Sequence, residues 1–240
     1  MKKYFICAFV LMMLSAFSAC GSLSDTLSSI QEGIESSSVI ENPSSQNSKT
    51  IFAEEEKESF SAGKQLEESS PVVPKVEDPD FRNVKWGMSR EEVKRYAQEE
   101  LTEADEGFIN IETELLEKKV ALLYQFNDKD ELYQAAYSSL EEHTNENLYL
   151  EDYEQFKESL IGKYGQPSEE EEFWRSDLYR DSPEDYGMAV AIGDLVKRAT
   201  WETDNTKIVL GITGDNLEIG VVIVYSSKEI PPPTNDNFGI

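Results

Sequence analysis

Thiols, an imidazole and clustered carboxylates are the side chains with which this chain could do chemistry, and they are unevenly placed. Both cysteines, Cys7 and Cys20, lie near the amino terminus, so the rest of the chain has no thiol for a disulfide, a thiolate metal site or a nucleophile. The single histidine, His143, stands among Glu141, Glu142 and Asn145, with neither a Gly-x-Ser-x-Gly elbow nor a His-Glu-x-x-His spacing. It reads as a solvated loop residue. Carboxylates are abundant enough that the sequence selects no acid pair for glycoside chemistry. The densest groups, residues 169–172 and the pair Asp128 and Asp130, lack the glycine and terminal glutamate of a calcium loop and read as solvated acidic loops. No glycine-rich phosphate cradle links a strand to a helix. No catalytic residue, metal or cofactor is expected. Trp86, Trp174 and Trp201 are the candidate binding surface, with Tyr124, Tyr133 and Tyr137 able to complete a stacking platform for sugars or peptides, against the commoner fate of aromatic side chains in a core.

One thiol does sit in a telling context. Lys2 and Lys3 are followed by an apolar run over residues 4–17, the small pair Ser18-Ala19, then Cys20 and Gly21. This layout resembles a bacterial lipoprotein signal peptide, with Phe17 where leucine is usual. The resemblance implies removal of residues 1–19, acylation of Cys20 and a body held outside the cytosol on a lipid. The run is well short of the ~20 residues that span a bilayer core.

Residues 20–80 are rich in Ser, Glu, Asn and Gln with scattered apolar residues, and they close on Pro71, Pro74 and Pro79. Such composition buries too little apolar surface to offset the entropy of ordering, which predicts a disordered tether. Sixty such residues reach about 45 Å in root-mean-square extension. Lys plus Arg is 22 against 48 Asp plus Glu, a formal net charge of -26. That balance disfavours nucleic acid, whose binding depends on neutralising phosphates, and repels an anionic bilayer surface. Contact with the membrane is therefore expected through the lipid alone.

Residues 81–230 are expected to form one α+β domain, followed by a flexible tail at 231–240. Ser89 and Glu92 have capping-box spacing, Met88 and Val93 suit a hydrophobic staple, and Val93, Tyr96, Ala97 and Leu101 recur at helical period. Period-two alternation then predicts strands around Ile109 to Leu115, Val120 to Phe126 and Leu132 to Tyr137, with a turn at Asn127-Asp128-Lys129-Asp130. A second helix carries Tyr149, Tyr153, Phe156, Leu160 and Tyr164 on one stripe and stops at Gly165 and Pro167. Ser182-Pro183-Glu184-Asp185 has the spacing of another capping box, before a short helix reaching Ile192. Strands follow at 199–201, 207–213 and 217–225, with Gly214-Asp215 as the last turn.

Ile111-Glu112-Thr113, Lys119-Val120-Ala121-Leu122 and Tyr137-Ser138 align with Trp201-Glu202-Thr203, Lys207-Ile208-Val209-Leu210 and Tyr225-Ser226. The alignment predicts two αβββ repeats joined in one antiparallel sheet of about six strands, with helices on one face. Trp86-Gly87-Met88-Ser89-Arg90-Glu91-Glu92-Val93 and Lys163-Tyr164-Gly165-Gln166-Pro167 are similar to the helix entry and exit of small envelope lipoproteins of the SmpA/OmlA type and of the β-lactamase-inhibitor-protein-like fold. The longer pattern also looks like that of uncharacterised extracytoplasmic lipoproteins. The resemblance implies an architecture and carries over no functional residue. Taken together, these features lead us to expect a lipid-anchored, non-enzymatic module that binds a protein or peptide at the cell envelope. The alternatives are an envelope hydrolase using a carboxylate pair and a solute- or calcium-binding lipoprotein.

Overall fold

Alternation of apolar and polar residues produces one antiparallel sheet in the computed structural model, which describes residues 76–97, 102–103 and 108–234. Cys7, Cys20, Leu101, the proposed signal, the tether up to residue 75 and the tail from residue 235 lie outside the described residues. The strands are β1 (Thr102–Glu103), β2 (Phe108–Leu115), β3 (Lys118–Phe126), β4 (Leu132–Ser139), β5 (Glu169–Trp174), β6 (Leu195–Glu202), β7 (Thr206–Asp215) and β8 (Glu218–Ser227). The helices are α1 (Arg90–Tyr96), α2 (Asn147–Tyr164) and α3 (Tyr186–Ala191). The sheet has eight strands in the order β1-β2-β3-β4-β8-β7-β6-β5, not about six.

The additional strands are the two-residue β1 and β5, and β5 corrects the reading of residues 169–172 as a loop. Four successive glutamates hide any strand period. They form a strand because β5 pairs along β6, where Glu171 meets Arg198 and Glu172 meets Lys197 in register. The aligned repeat is not reproduced as written either. Leu122 pairs with Ile111 and Tyr137, whereas its aligned partner Leu210 pairs with Ala199 and Ile223.

Inward-facing Val120, Leu122 and Tyr124 of β3, Ala135 and Tyr137 of β4, Ile208, Leu210 and Ile212 of β7 and Val221, Ile223 and Tyr225 of β8 form one buried cluster. Helix α2 adds Tyr153, Phe156 and Leu160 to it, α3 adds Ala189 and Val190, and α1 adds Val93. Burial of each large apolar side chain contributes about 1.5–3 kcal/mol, which places the domain's stability in this layer. Helix α2 stops at Gly165, whose φ of 83° lies in the left-handed region that favours glycine.

The Ser89–Glu92 capping box forms as expected. The Ser89 amide donates to Glu92 Oε2 at 2.9 Å, and the Glu92 amide donates to Ser89 Oγ at 3.4 Å. The donation from Ser89 holds the Glu92 carboxyl below the usual carboxylate range. The box is therefore at full strength above that range and is lost as pH falls through the lowered folded value. Ser89→Ala is expected to cost about 1 kcal/mol at neutral pH, read as a fall in urea midpoint at unchanged m-value. An unchanged midpoint would show that α1 does not depend on its cap.

Two local expectations fail for tertiary reasons. Ser182 makes no side-chain cap, and Pro183–Asp185 is a 3-10 turn. The cap of α3 comes instead from Asn147, whose Oδ1 accepts from the Gly187 amide at 2.7 Å while its Nδ2 donates to the Glu184 carbonyl at 2.6 Å. A Cβ on Gly187 would stand 2.4 Å from the Asn147 backbone nitrogen, so only glycine permits this approach. The last hairpin turns at Asn216-Leu217, with φ of 51° and 67°, not at Gly214-Asp215. Gly214 belongs to β7, where a Cβ would lie 2.4 Å from the Val190 carbonyl of α3.

The ends of the domain are tied down. Val76 is buried and its amide donates to Asn83 Oδ1 at 3.0 Å, and Asp80 accepts from the Trp86 amide and the Asn205 side chain. Thr234 donates its amide to Asp128 Oδ2 at 3.0 Å, across the turn between β3 and β4.

Candidate functional site

Packing of α2 over β7 and β8 leaves a groove at its carboxy-terminal half, bordered by Tyr137 of β4. An inner cavity of about 180 Å³ is walled by Phe81, Arg82, Leu116, Tyr137, Tyr164 and Tyr225 among others. A wider one of about 450 Å³ adjoins it past Lys163 and Tyr164 and reaches Asp80, Asn205 and Thr206. Phe81 anchors the floor, with its ring centroid 4.8 Å from that of Tyr225, 5.5 Å from Tyr137 and 5.9 Å from Tyr124. The next residue, Arg82, has φ 50° and donates from Nη1 to the Tyr137 hydroxyl at 3.3 Å. Lys163 Nζ lies 4.9 Å from the centre of the Tyr164 ring.

These walls offer aromatic faces, tyrosine hydroxyls and two cations at the rim. Burial, with Tyr164 alongside, pushes the Tyr225 hydroxyl well above its ordinary range, so it is a neutral hydrogen-bonding group and not a base. The carboxylates of Asp78 and Asp80 line the wider cavity beside Lys163, and among the described wall residues no nucleophile is hydrogen-bonded to a base.

His143 is not the solvated loop residue that its neighbours suggest. Its Nε2 lies 2.7 Å from Asp152 Oδ2, its amide donates to the Tyr149 hydroxyl at 3.1 Å, and its ring meets Tyr149 edge-on. Lys118 Nζ sits 2.6 Å from the other Asp152 oxygen. Asp152 is almost fully buried, on the same helical turns as Tyr153 and Phe156. The sequence signal was the polar Asp152 next to the apolar stripe, but its partners lie 9 and 34 positions away. Among the described residues no hydroxyl or thiol is hydrogen-bonded to the His143 ring, so the cluster ties α2 to the start of β3 and to the loop before the helix.

The three tryptophans are not brought together. Trp201 is interior, with its indole N–H donating to the Gly165 carbonyl at 2.9 Å. Trp86 is half-buried and donates to Thr206 Oγ1 at 2.9 Å. Trp174 lies near the far edge, donating to Glu172 Oε1 at 2.8 Å and packing edge-on against Tyr186. Neither cavity has a tryptophan in its wall. The groove's aromatic wall is made instead of Phe81, Tyr137, Tyr164 and Tyr225, of which the sequence reading placed only Tyr137 among the candidates for a stacking platform.

The acidic clusters are engaged locally. Glu170 meets Lys157 at 2.6 Å, Glu171 pairs with Arg198, and Asp130 pairs with Arg90 at 2.8 Å. Among the described residues no group of three or more His, Cys, Asp or Glu is arranged to hold a metal ion. No described helix is long and apolar enough to cross a membrane. Comparison with protein-family models, with curated proteins and with solved structures finds no match to this chain in any of the three.

Proposed function

We propose that this protein is a lipid-anchored extracytoplasmic interaction module, acylated at Cys20, that docks a protein or peptide at the cell envelope and performs no chemistry of its own. The observation that carries the reading is the tyrosine-lined groove with Arg82 and Lys163 at its rim, which has the groups to hold a ligand and none assembled to transform one. The layout around Cys20 supports the anchor, and the polar stretch after it supports a spacer that lets the domain stand off the bilayer.

Internal duplication belongs to the same reading. In the sheet order, β1–β4 and β5–β8 are mirrored about the β4–β8 pair, and each set follows a helix. Leu122 lies between Ile111 and Tyr137, as Ile208 lies between Trp201 and Tyr225. A slip of two residues in the middle strand therefore reconciles the aligned segments with the sheet, and two residues is the shift that keeps every side chain on its own face.

Two measurements test the proposal. Native material should begin at a diacylated Cys20, and Cys20→Ala should release the protein from membranes; an unmodified chain still carrying residues 1–19 would overturn the anchor. A photo-crosslinking residue at Leu116 or Lys163 should capture one reproducible envelope protein that the same residue at Leu178 does not. Turnover of an envelope polymer by the purified protein, lost on substitution of a single acid, would replace the module with the hydrolase.

A further inference from the structure

Two tight turns border the inner cavity of the groove, and both break the residue preferences of their turn type. Leu116-Glu117 closes the β2–β3 hairpin between the paired Leu115 and Lys118, with φ of 54° and 63°. Positive φ at both central positions defines a type I′ turn, which suits asparagine and glycine and strains a leucine. Arg82-Asn83 closes a second turn, between the bridged Phe81 and Val84. There only Arg82 has positive φ, at 50°, the position at which a type II′ turn takes glycine. Both side chains stand in the cavity wall, and Leu116 is 46% exposed. Strain of this kind persists where the position serves a contact, and clusters at ligand clamps. Leu217, at the β7–β8 turn, is likewise an exposed leucine with positive φ but borders neither cavity, which makes it a control.

The floor of the inner cavity is apolar: Phe81, Leu160, Ile223 and Tyr225 are each no more than 7% exposed. Its volume of about 180 Å³ suits a single aromatic ring, since an apolar protein cavity of about 150 Å³ admits benzene. Past Lys163 and Tyr164 the character changes. Asp80 is engaged there, accepting from the Trp86 amide at 2.8 Å and from the Asn205 side chain. Asp78 is exposed and makes no hydrogen bond or ion pair among the described residues. Lys163 lies over the Tyr164 ring, so the wider cavity sets two carboxylates against one cation. In a chain of net charge -26, that excess of negative charge beside an apolar pocket complements a cationic ligand.

We propose that the occupant of the groove is a peptide segment in which one aromatic side chain stands close in sequence to a lysine or arginine. The ring enters the inner cavity against Phe81 and Tyr225, Leu116 closes over it as a lip, and the cation meets Asp78 in the wider cavity. This assignment rests on the reading of the groove as the docking site and names the chemistry of what docks. It gives Leu116 the role of a specificity-determining contact, held in a strained turn because an asparagine or glycine there would leave the ring uncovered.

Three dye-labelled heptapeptides test this, titrated with the full-length chain at physiological ionic strength and followed by fluorescence anisotropy: Gly-Lys-Ser-Phe-Ser-Lys-Gly, Gly-Glu-Ser-Phe-Ser-Glu-Gly and Gly-Lys-Ser-Ala-Ser-Lys-Gly. The charges flank the central residue on both sides, so either chain direction is read. The Phe–Lys peptide should bind at least about tenfold more tightly than each of the others. The alanine peptide carries the same charge, so it reports general attraction to an acidic chain. Leu116→Asn should weaken the Phe–Lys peptide at least about fivefold without lowering the melting temperature, because asparagine suits the turn. Leu217→Gly relieves the same strain away from the groove and should leave binding unchanged. Asp78→Asn should remove most of the preference for lysine over glutamate. Equal binding of the three peptides, no measurable binding of any, or preference for glutamate overturns the proposal. A Leu116→Asn chain that binds normally or melts lower overturns the lip, and a lysine preference that survives Asp78→Asn overturns the cation contact. Crosslinking at Lys163 is read separately: capture of one envelope protein there alongside any of these failures leaves the docking module standing and removes only this assignment of its ligand.

Discussion

Trp201→Ala is expected to destabilise the domain by about 3–5 kcal/mol, the range for deleting a large aromatic side chain from a packed core. The indole is 2% exposed and belongs to the cluster that α2 closes over the sheet. Its N–H also satisfies the carbonyl of Gly165, the residue that ends α2, so the substitution opens a cavity and orphans an acceptor at a helix terminus. Urea unfolding should show a large fall in midpoint at nearly constant m-value. Trp201→Phe separates the two contributions: it retains most of the volume, loses the N–H, and should cost about 1–2 kcal/mol. A loss below about 1 kcal/mol for the alanine variant would contradict an interior Trp201 and return it to the list of surface residues able to stack on a ligand.

Asp152→Ala is expected to cost about 3 kcal/mol, because the change leaves Lys118 and His143 facing a site whose carboxylate is gone. Both partners are more than four-fifths covered, so water restores only part of what they lose. The pair carries its own control. In an Asp152→Leu, Lys118→Met background the uncompensated charge is removed with its partner, and most of the lost stability should return, since well-packed apolar replacements of buried ion pairs are often neutral. If the double variant is no better than Asp152→Ala, the loss comes from packing in α2 and not from charge. If Asp152→Ala costs nothing, the cluster does not tie the helix to β3.

How much of this was legible depended on how far apart the interacting groups lie in the chain. The Ser89–Glu92 box was readable because its two halves are three residues apart. The end of α2 was readable because Gly165 is the residue type that the left-handed turn requires. The His143 cluster was not, because its neighbours in sequence are polar and its partners come from another strand and another turn of helix. Strand β5 was hidden for a similar reason: four glutamates have no apolar alternation, and it is pairing along β6, with Arg198 on Glu171 and Lys157 of α2 on Glu170, that holds an extended acidic segment there.

The candidate groove shows the same division. Tyr137, Tyr164 and Tyr225 were visible as members of amphipathic elements that alone predict burial, and Phe81 only as the start of the domain. That they border a cavity with Arg82 and Lys163 follows from where α2 packs on β7 and β8. The three tryptophans looked like a set because of their residue type, and packing separated them into a core position, a half-buried brace and an edge contact.

By itself the sequence determined the class of the domain, the positions of most strands and of its three described helices, and the absence of thiol chemistry from the body, since these rest on periodicity, capping and composition. Tertiary structure alone decided which polar groups meet and which aromatic residues line space instead of filling it. Those outcomes depend on contacts between segments distant in the chain, and alternation within one strand states which residues share a face but not what lies against it.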